Sequence, residues 1–340
     1  MATTVIPSAS LREYTTLKVG GTARYLVEAH TVEDIKEAVD LATAAELPFF
    51  VLGGGSNVLV PDEGYAGVVI RIMVHGLKDE QLDSATVLVT VGAGEVLDEV
   101  ISQCVTRGWW GLENLSAIPG CVGAAPVQNV GAYGVEAADC IESVTVFDTR
   151  LGQEVVLTQS ECQFGYRDSI FKHEAGRYYV VTTVTFRLSQ LPQPKLTYAD
   201  LANRFSNYTP TQLEIREAVM AIRSGKFPDW RTVGTAGSFF KNPIVPTAVA
   251  TALRGAYPDL PVYDAGFGLQ KISLGYVLDK ICGRKGYCAH HVCLYEKQAL
   301  VLIAGVDATA TDVMNFATEI ASVVKEKIDI TIEWEVVTMK

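Results

Sequence analysis

The stretch Leu52-Gly53-Gly54-Gly55-Ser56-Asn57-Val58-Leu59-Val60 decides the fold. Phe49 to Leu52 ahead of it reads as a buried strand, and Val58 to Val60 behind it continues as strand. The glycines therefore join two strands and do not open a helix. That excludes both the G-x-G-x-x-G dinucleotide fingerprint and the G-x-x-x-x-G-K-[ST] phosphate loop. Two readings stay open: successive amides forming a nest for phosphate oxygens, or a tight turn that needs positive φ.

On the N-terminal side, Thr31 and Asp34 form a capping box for a helix whose Ile35, Ala38, Val39 and Ala42 share one face, and Pro48 ends it. On the other side, Val68 to Ile72 and Val87 to Val91 read as strands. Gly92-Ala93-Gly94 then turns into a helix with Val96, Val100, Ile101, Cys104 and Val105 inward. From Gly108 to Gly134, six glycines and two prolines punctuate a stretch without periodicity, and so long an irregular segment is usually functional.

Val144 to Phe147, Glu154 to Leu157 and Tyr179 to Leu188 return to strand. A helix over Leu213 to Ser224 runs to a boundary at Gly225. Short helices and turns follow, and Val313, Phe316, Ala317, Ile320 and Val324 share a face of the last helix. Ile330, Ile332, Trp334 and Val336 then alternate with polar residues as in a two-faced strand. The pattern is α+β, without one parallel sheet throughout.

Composition narrows the partners. The 340 residues are 49% apolar and 20% charged with net charge −11, which opposes disorder and gives no counter-charge for nucleic acid or an anionic membrane. No stretch reads as a secretory signal or a membrane span. Seven cysteines, an odd and thinly spread number, predict a reduced chain in the cytoplasm and no disulfide scaffold. Cys282, Cys288, His290, His291 and Cys293 tempt a zinc reading, but no C-x-x-C knuckle supports it, and no metal is expected.

Four further segments carry polar chemistry. Ile118 to Gly134 combines small residues, which let a backbone approach a flat ligand, with Gln128 and Asn129. Phe164-Gly-Tyr-Arg-Asp-Ser169 offers Arg167, either a fork for a carboxylate or a surface partner of Asp168 or another acid. Ala236-Gly-Ser-Phe-Phe-Lys-Asn-Pro243 places Ser238 among aromatics, either to move a proton in a dry site or to bond local backbone. Glu333 and Glu335 lie on one face of the terminal strand, where only burial near another anion would keep one protonated.

In this order, the five glycine-, arginine- and serine-bearing motifs resemble the UDP-N-acetylenolpyruvoylglucosamine reductase (MurB) family, from Thr15-Thr16-Leu17 to Glu333-Trp334-Glu335-Val336. The resemblance implies a two-subdomain FAD-binding fold of vanillyl-alcohol-oxidase type plus a third α+β substrate domain. Its divisions would be 1–75 with a C-terminal return over 328–340, then 76–226, then 227–327. It implies non-covalent FAD, with Gly53, Gly54, Gly55, Ser56 and Asn57 at the pyrophosphate. Ser116, Ile118, Gly123, Gln128, Asn129 and Gly131 would flank the rest.

The activity implied is NADPH-driven reduction of the enolpyruvyl ether of a UDP-sugar, in peptidoglycan precursor synthesis. Arg167 would bind the substrate carboxylate, Ser238 would deliver the proton and Glu335 would assist, with Glu333 as fallback. The resemblance nominates Tyr133, Tyr198, Lys226, Asn242, Tyr263 and Lys271 for substrate, with Tyr198 on a tyrosine-bearing loop typical of one subclass, and Lys285 as a further cation. Trp334 replaces the proline common between the two glutamates, and Val337 replaces a usual arginine. The expected partners are small molecules, with the chain acting as a monomer. A related FAD-dependent oxidase of alcohols or 2-hydroxy acids is the alternative enzyme, and a nonenzymatic flavin or nucleotide-sugar binder the alternative of another class.

Overall fold

The computed structural model describes residues 3–340. They form two compact units. The first comprises Ala23–Gly55 and Ala66–Ser224 with the described residues up to Ala9; the second comprises Ser10–Thr22, Ser56–Tyr65 and Gly225–Lys340. The elements are α+β, as the sequence patterns predict.

The first unit is built on two sheets. One orders the strands Val5–Ser10, Thr22–Ala29, Tyr65–Ile72 and Phe49–Leu52, the last two parallel. The helix Val32–Ala44 links two of these strands. It starts at the predicted capping box, and Ile35, Ala38, Val39 and Ala42 are its buried residues. The second sheet is antiparallel, ordered Gln153–Thr158, Ile141–Asp148, Tyr179–Ser189, Thr86–Gly92 and Leu77–Gln81. In its register Val184 stands opposite Val144 on one side and Val91 on the other, and all three are fully buried. Each such valine contributes roughly 1.5–3 kcal/mol of burial, so a one-residue slip would turn the row to solvent.

The second unit orders Gly234–Ser238, Val301–Ala304, Val292–Leu294 and Cys288–Ala289 in an antiparallel sheet. The helix Ala310–Ile328 adds Val313, Phe316, Ala317, Ile320 and Val324 to its core, beside Leu17, Leu59 and Phe239. A three-stranded sheet of Ile244–Pro246, Leu269–Ile272 and Val262–Asp264 completes it. Val337–Thr338 pairs in parallel with Val58–Leu59, the strand that follows the glycine run. Among the described residues no helix is long and apolar enough to cross a membrane.

Three expectations are corrected. Val96 does not face inward: it caps the helix Leu97–Thr106 and is 41% exposed, while its neighbour Leu97 is buried. Periodicity extrapolated one residue past the first turn gave the wrong side. The segment from Ile330 to Val336 keeps its alternation, with Ile330, Ile332 and Val336 buried, but forms only an isolated bridge from Trp334 to Phe240. The ladder begins at Val337. Finally, Cys288 and Cys293 are joined in a disulfide. They stand directly opposite each other in a hairpin turned by His290 and His291, both left-handed, so the strand register itself makes the pair.

Candidate active site

In the first unit the two glycine-rich segments converge. A Cβ on Gly54 would lie 3.0 Å from Gly120 Cα and 3.4 Å from Cys121 N, so only glycine allows this approach without displacing backbone. Gly55 takes a left-handed φ of 62°. Gly123 has a packing reason of its own: a Cβ there would lie 2.6 Å from the Cβ of Ala93. The irregular stretch is thereby pressed onto the turn after Thr86–Gly92, where the Gly123 amide donates to Ala93 O at 2.9 Å. Cys121 keeps a free thiol, and burial raises its pKa above the usual thiol range.

The polar side chains of this stretch are committed inward. Asn129, 1% exposed, donates to Glu136 Oε2 at 2.7 Å and Gly165 O at 3.0 Å, while its Oδ1 accepts from Ala138 N at 2.9 Å. The buried Ser116 hydroxyl donates to Glu113 O at 2.6 Å. Ile118 packs against the core, and Gln128 is half-buried beside Asn129. Ser169 donates to Val127 O at 2.6 Å, fastening the loop ahead of Gln128 to the arginine motif.

Arg167 occupies the tip of a tight turn. Gly165 and Asp168 exchange backbone bonds of 3.0 and 3.2 Å, and Arg167 takes a φ of 53° between them. Its guanidinium donates to Gly131 O at 2.7 Å and lies 5.4 Å from the Tyr166 ring. The neighbouring Asp168 carboxylate meets His173 at 2.8 Å. A Cβ on Gly131 would lie 2.9 Å from Glu136 Cγ and 3.1 Å from Arg167 Nη1. The structure thus brings together Asn129, Gly131 and Arg167.

Tyr133 and Tyr198 meet edge to face with ring centres 5.0 Å apart. Two residues near them went unnoticed in the sequence. Arg223 is half-buried against the Tyr133 phenol, and its Nε donates to Ala117 O at 3.1 Å; desolvation pulls its pKa below the usual guanidinium value. A signal existed, since Arg223 lies one turn beyond Val219 on the helix Gln212–Lys226, whose Ile215 and Val219 are buried. Asn114 is fully buried and donates to Tyr133 O at 2.8 Å and Lys195 O at 2.9 Å. No local pattern marks it.

In the second unit Ser238 ends the strand Gly234–Ser238 after a bulge, with Gly237 at a φ of 71°. The terminal segment runs beside the residues that follow it. Glu335 N donates to Phe239 O at 2.8 Å, and Lys241 N donates to Glu333 O at 3.0 Å. Trp334 lies edge-on to Phe239 at 5.3 Å. Asn57 joins the same group, its Nδ2 donating to Glu335 O at 3.1 Å. Glu333 and Glu335 have different surroundings: Glu333 is exposed and bridges to Lys241 at 3.0 Å, whereas Glu335 is half-buried.

The remaining candidates in this unit lie on other elements. Asn242 accepts from Leu274 N at 2.9 Å, and Tyr263 stands opposite Lys271 in the three-stranded sheet. Lys226 ends its helix. Lys285 is engaged with Asp279 at 3.2 Å. Among the described residues no group of three or more His, Cys, Asp or Glu is placed to hold a metal ion.

Residues 23–158 match the FAD binding domain family, and residues 229–339 match the C-terminal domain family of UDP-N-acetylenolpyruvoylglucosamine reductase. A reductase of that name from Chromobacterium violaceum is 39% identical over 329 residues, covering 96% of each chain. The chain belongs to the UDP-N-acetylenolpyruvoylglucosamine reductase family. A second member, from Ralstonia nicotianae, is 40% identical over 339 residues and 98% of each chain. The crystal structure of the Thermus caldophilus reductase (MurB) aligns over the whole of both chains with a TM-score of 0.69 at 28% identity. The glycine-rich loops of this reductase-family chain therefore fall within an FAD binding domain, and the Ser238 and Glu335 segments fall within the family's C-terminal domain.

Proposed function

We propose that the chain is the NADPH-dependent enolpyruvyl reductase of its family, converting UDP-N-acetylglucosamine enolpyruvate to UDP-N-acetylmuramate for peptidoglycan precursors. It is an FAD-dependent oxidoreductase. The close approach of Gly54 to Gly120 supports FAD as the ligand, because two runs of backbone amides form one bed for an anionic, flat molecule. In this reading Gly53, Gly54, Gly55, Ser56 and Asn57 meet the pyrophosphate, and Ser116, Ile118, Gly123, Gln128, Asn129 and Gly131 flank the remainder. The neutral, partly buried Cys121 thiol is a poor nucleophile, which supports non-covalent binding.

FAD, when bound, accepts hydride from NADPH and supplies it to the β-carbon of the enolpyruvyl group. The chain's residues handle the charge and the proton. Arg167 binds the substrate carboxylate and stabilises the negative charge that develops there, from a guanidinium already oriented by Gly131 O. Ser238 donates the proton to the α-carbon. Glu335 assists at the carboxylate end. Tyr133, Tyr198, Lys226, Asn242, Tyr263 and Lys271 bind the nucleotide sugar.

The observation that carries the reading is the bond from Glu335 N to Phe239 O, which brings the terminal glutamate beside the serine motif far away in sequence. The three-part division into 1–75 with 328–340, 76–226 and 227–327 belongs to the same reading. The two sheets of the first unit and the return of Val337–Thr338 to Val58–Leu59 support it. Steady NADPH oxidation by the FAD-loaded protein, dependent on the enolpyruvyl UDP-sugar, is the expected result. Oxidation that proceeds equally without that sugar, or fails with it, would overturn the reading.

A further inference from the structure

We infer that Asn114 is a positioning residue that ties the Tyr133 turn to the Tyr198 segment and so sets the face the two tyrosines offer to substrate. The inference rests on the reading above that these tyrosines meet the nucleotide sugar. Asn114 is fully buried, and its amide nitrogen has two protons in one plane. One goes to Tyr133 O at 2.8 Å and the other to Lys195 O at 2.9 Å. One carbonyl belongs to the turn of the short hairpin that pairs Gly131–Ala132 with Val135–Glu136, the other to a stretch without regular structure, and one side chain holds them in a fixed relation.

The post is rigid, and of the two tied segments the one ending at Tyr198 has no regular structure of its own. Asn114 sits in the short turn Glu113–Leu115, which is locked by the bond from Ser116 Oγ to Glu113 O and by Glu113 Oε2 accepting from Gly111 N at 2.8 Å. Tyr133 takes a left-handed φ of 51°, a conformation a bulky residue leaves unless its neighbours hold it. Tyr198 lies at the end of a stretch without regular structure and is 39% exposed, against 7% for Tyr133. Gly134 fixes the same junction from the other side: a Cβ there would lie 2.5 Å from Thr197 Oγ1.

Without the amide, the buried bond to the Tyr133 carbonyl would be lost, and the Lys195–Tyr198 segment, released at its part-buried carbonyl, would move toward water. That weakens the hold on the nucleotide sugar before and during reaction alike. It leaves flavin reduction by NADPH and protonation untouched. The signature is a rise in KM with kcat unchanged.

The test uses the FAD-loaded full chain, varying the enolpyruvyl UDP-sugar for wild type, Asn114→Ala, Tyr198→Ala and the double variant. Absence of wild-type turnover would overturn the functional reading and this inference with it. With turnover present, Asn114→Ala should raise the KM for the sugar about tenfold, with kcat and the rate of flavin reduction by NADPH within about twofold. In the Tyr198→Ala background that rise should vanish, since the two residues act as one unit. Effects that multiply, or a fall in kcat at constant KM, would sink the inference while leaving the reductase reading standing. If Asn114→Ala does not load FAD, Gly134→Ala should give the same KM rise, because its Cβ would push on Thr197 Oγ1. An unchanged KM in Gly134→Ala would then count decisively against it.

Discussion

The two units hold their candidate residues by different means. In the first, irregular backbone is pinned by buried polar side chains: Asn129 makes three hydrogen bonds, Asn114 ties two carbonyls, and Arg167 is oriented by Gly131 O. In the second, Ser238 and Glu335 are placed by strand and near-strand pairing through backbone groups, as in Glu335 N to Phe239 O. Backbone pairing survives most side-chain changes, whereas a buried amide has no substitute. Substitutions of polar, uncross-linked side chains that spare the chemistry should therefore cost stability in the first unit and little in the second.

The largest effect expected is nonetheless chemical. Ser238→Ala should slow flavin reoxidation by the enolpyruvyl sugar about 10²–10⁴-fold, in the range of a lost general acid, while NADPH reduces the flavin at the normal rate. Stopped-flow absorbance separates the two half-reactions, and equal loss of both would remove Ser238 as proton donor. Asn129→Ala tests the contrast directly. Leaving Gly165 O and Ala138 N without partners should cost about 3 kcal/mol in denaturant unfolding. A loss below ~1 kcal/mol would break the comparison on the side of the first unit.

In the second unit, replacing Cys288 and Cys293 with serine removes a cross-link over a short loop and should lower stability by roughly 2 kcal/mol with turnover retained. Loss of turnover would mean that the sheet edge is coupled to Ser238 at its far strand. A pH effect comes next. Glu113 is 1% exposed and burial raises its pKa, so the native state keeps its proton longer than the unfolded chain. Its contribution is full below the unfolded value near ~4.3 and is lost as pH rises through the higher folded value. Glu113→Gln should flatten that decline in unfolding midpoints measured between about pH 4 and pH 8; an unaltered profile would refute the assignment. Smallest of all, Glu333→Ala removes only the exposed bridge to Lys241 and should change stability by less than about 0.5 kcal/mol, with unchanged kcat. A large kcat loss would make Glu333, and not Glu335, the working carboxylate.

The same contrast explains what was legible in the sequence. Periodic segments declared themselves: the capping box at Thr31 and Asp34, the buried face of Ala310–Ile328 and the strands Thr86–Gly92, Ile141–Asp148, Gln153–Thr158 and Tyr179–Ser189 follow from spacing, whereas Leu77–Gln81 and the short strands of the second unit did not. The glycine runs declared that backbone comes close, though not that Gly54 meets Gly120 or that Gly123 answers to Ala93. Asn114 and Arg223 stayed hidden because their partners are distant carbonyls and a phenol, which no local pattern encodes. The Cys288–Cys293 pair stayed hidden for another reason. Its register depends on a two-residue turn of left-handed histidines, and histidine does not advertise such a turn as Asn-Gly would.

The parallel pairing of Val337–Thr338 with Val58–Leu59 carries a consequence for how the molecule is made. Residues 58–59 leave the ribosome long before their partners exist, and must wait with an open edge while nearly the whole chain is synthesised. The second unit cannot close, and Glu335 cannot reach Phe239, until that late segment arrives. A nascent chain can therefore fold sheets of its first unit early, but Glu335 is set in place only after residues 335–338 have emerged.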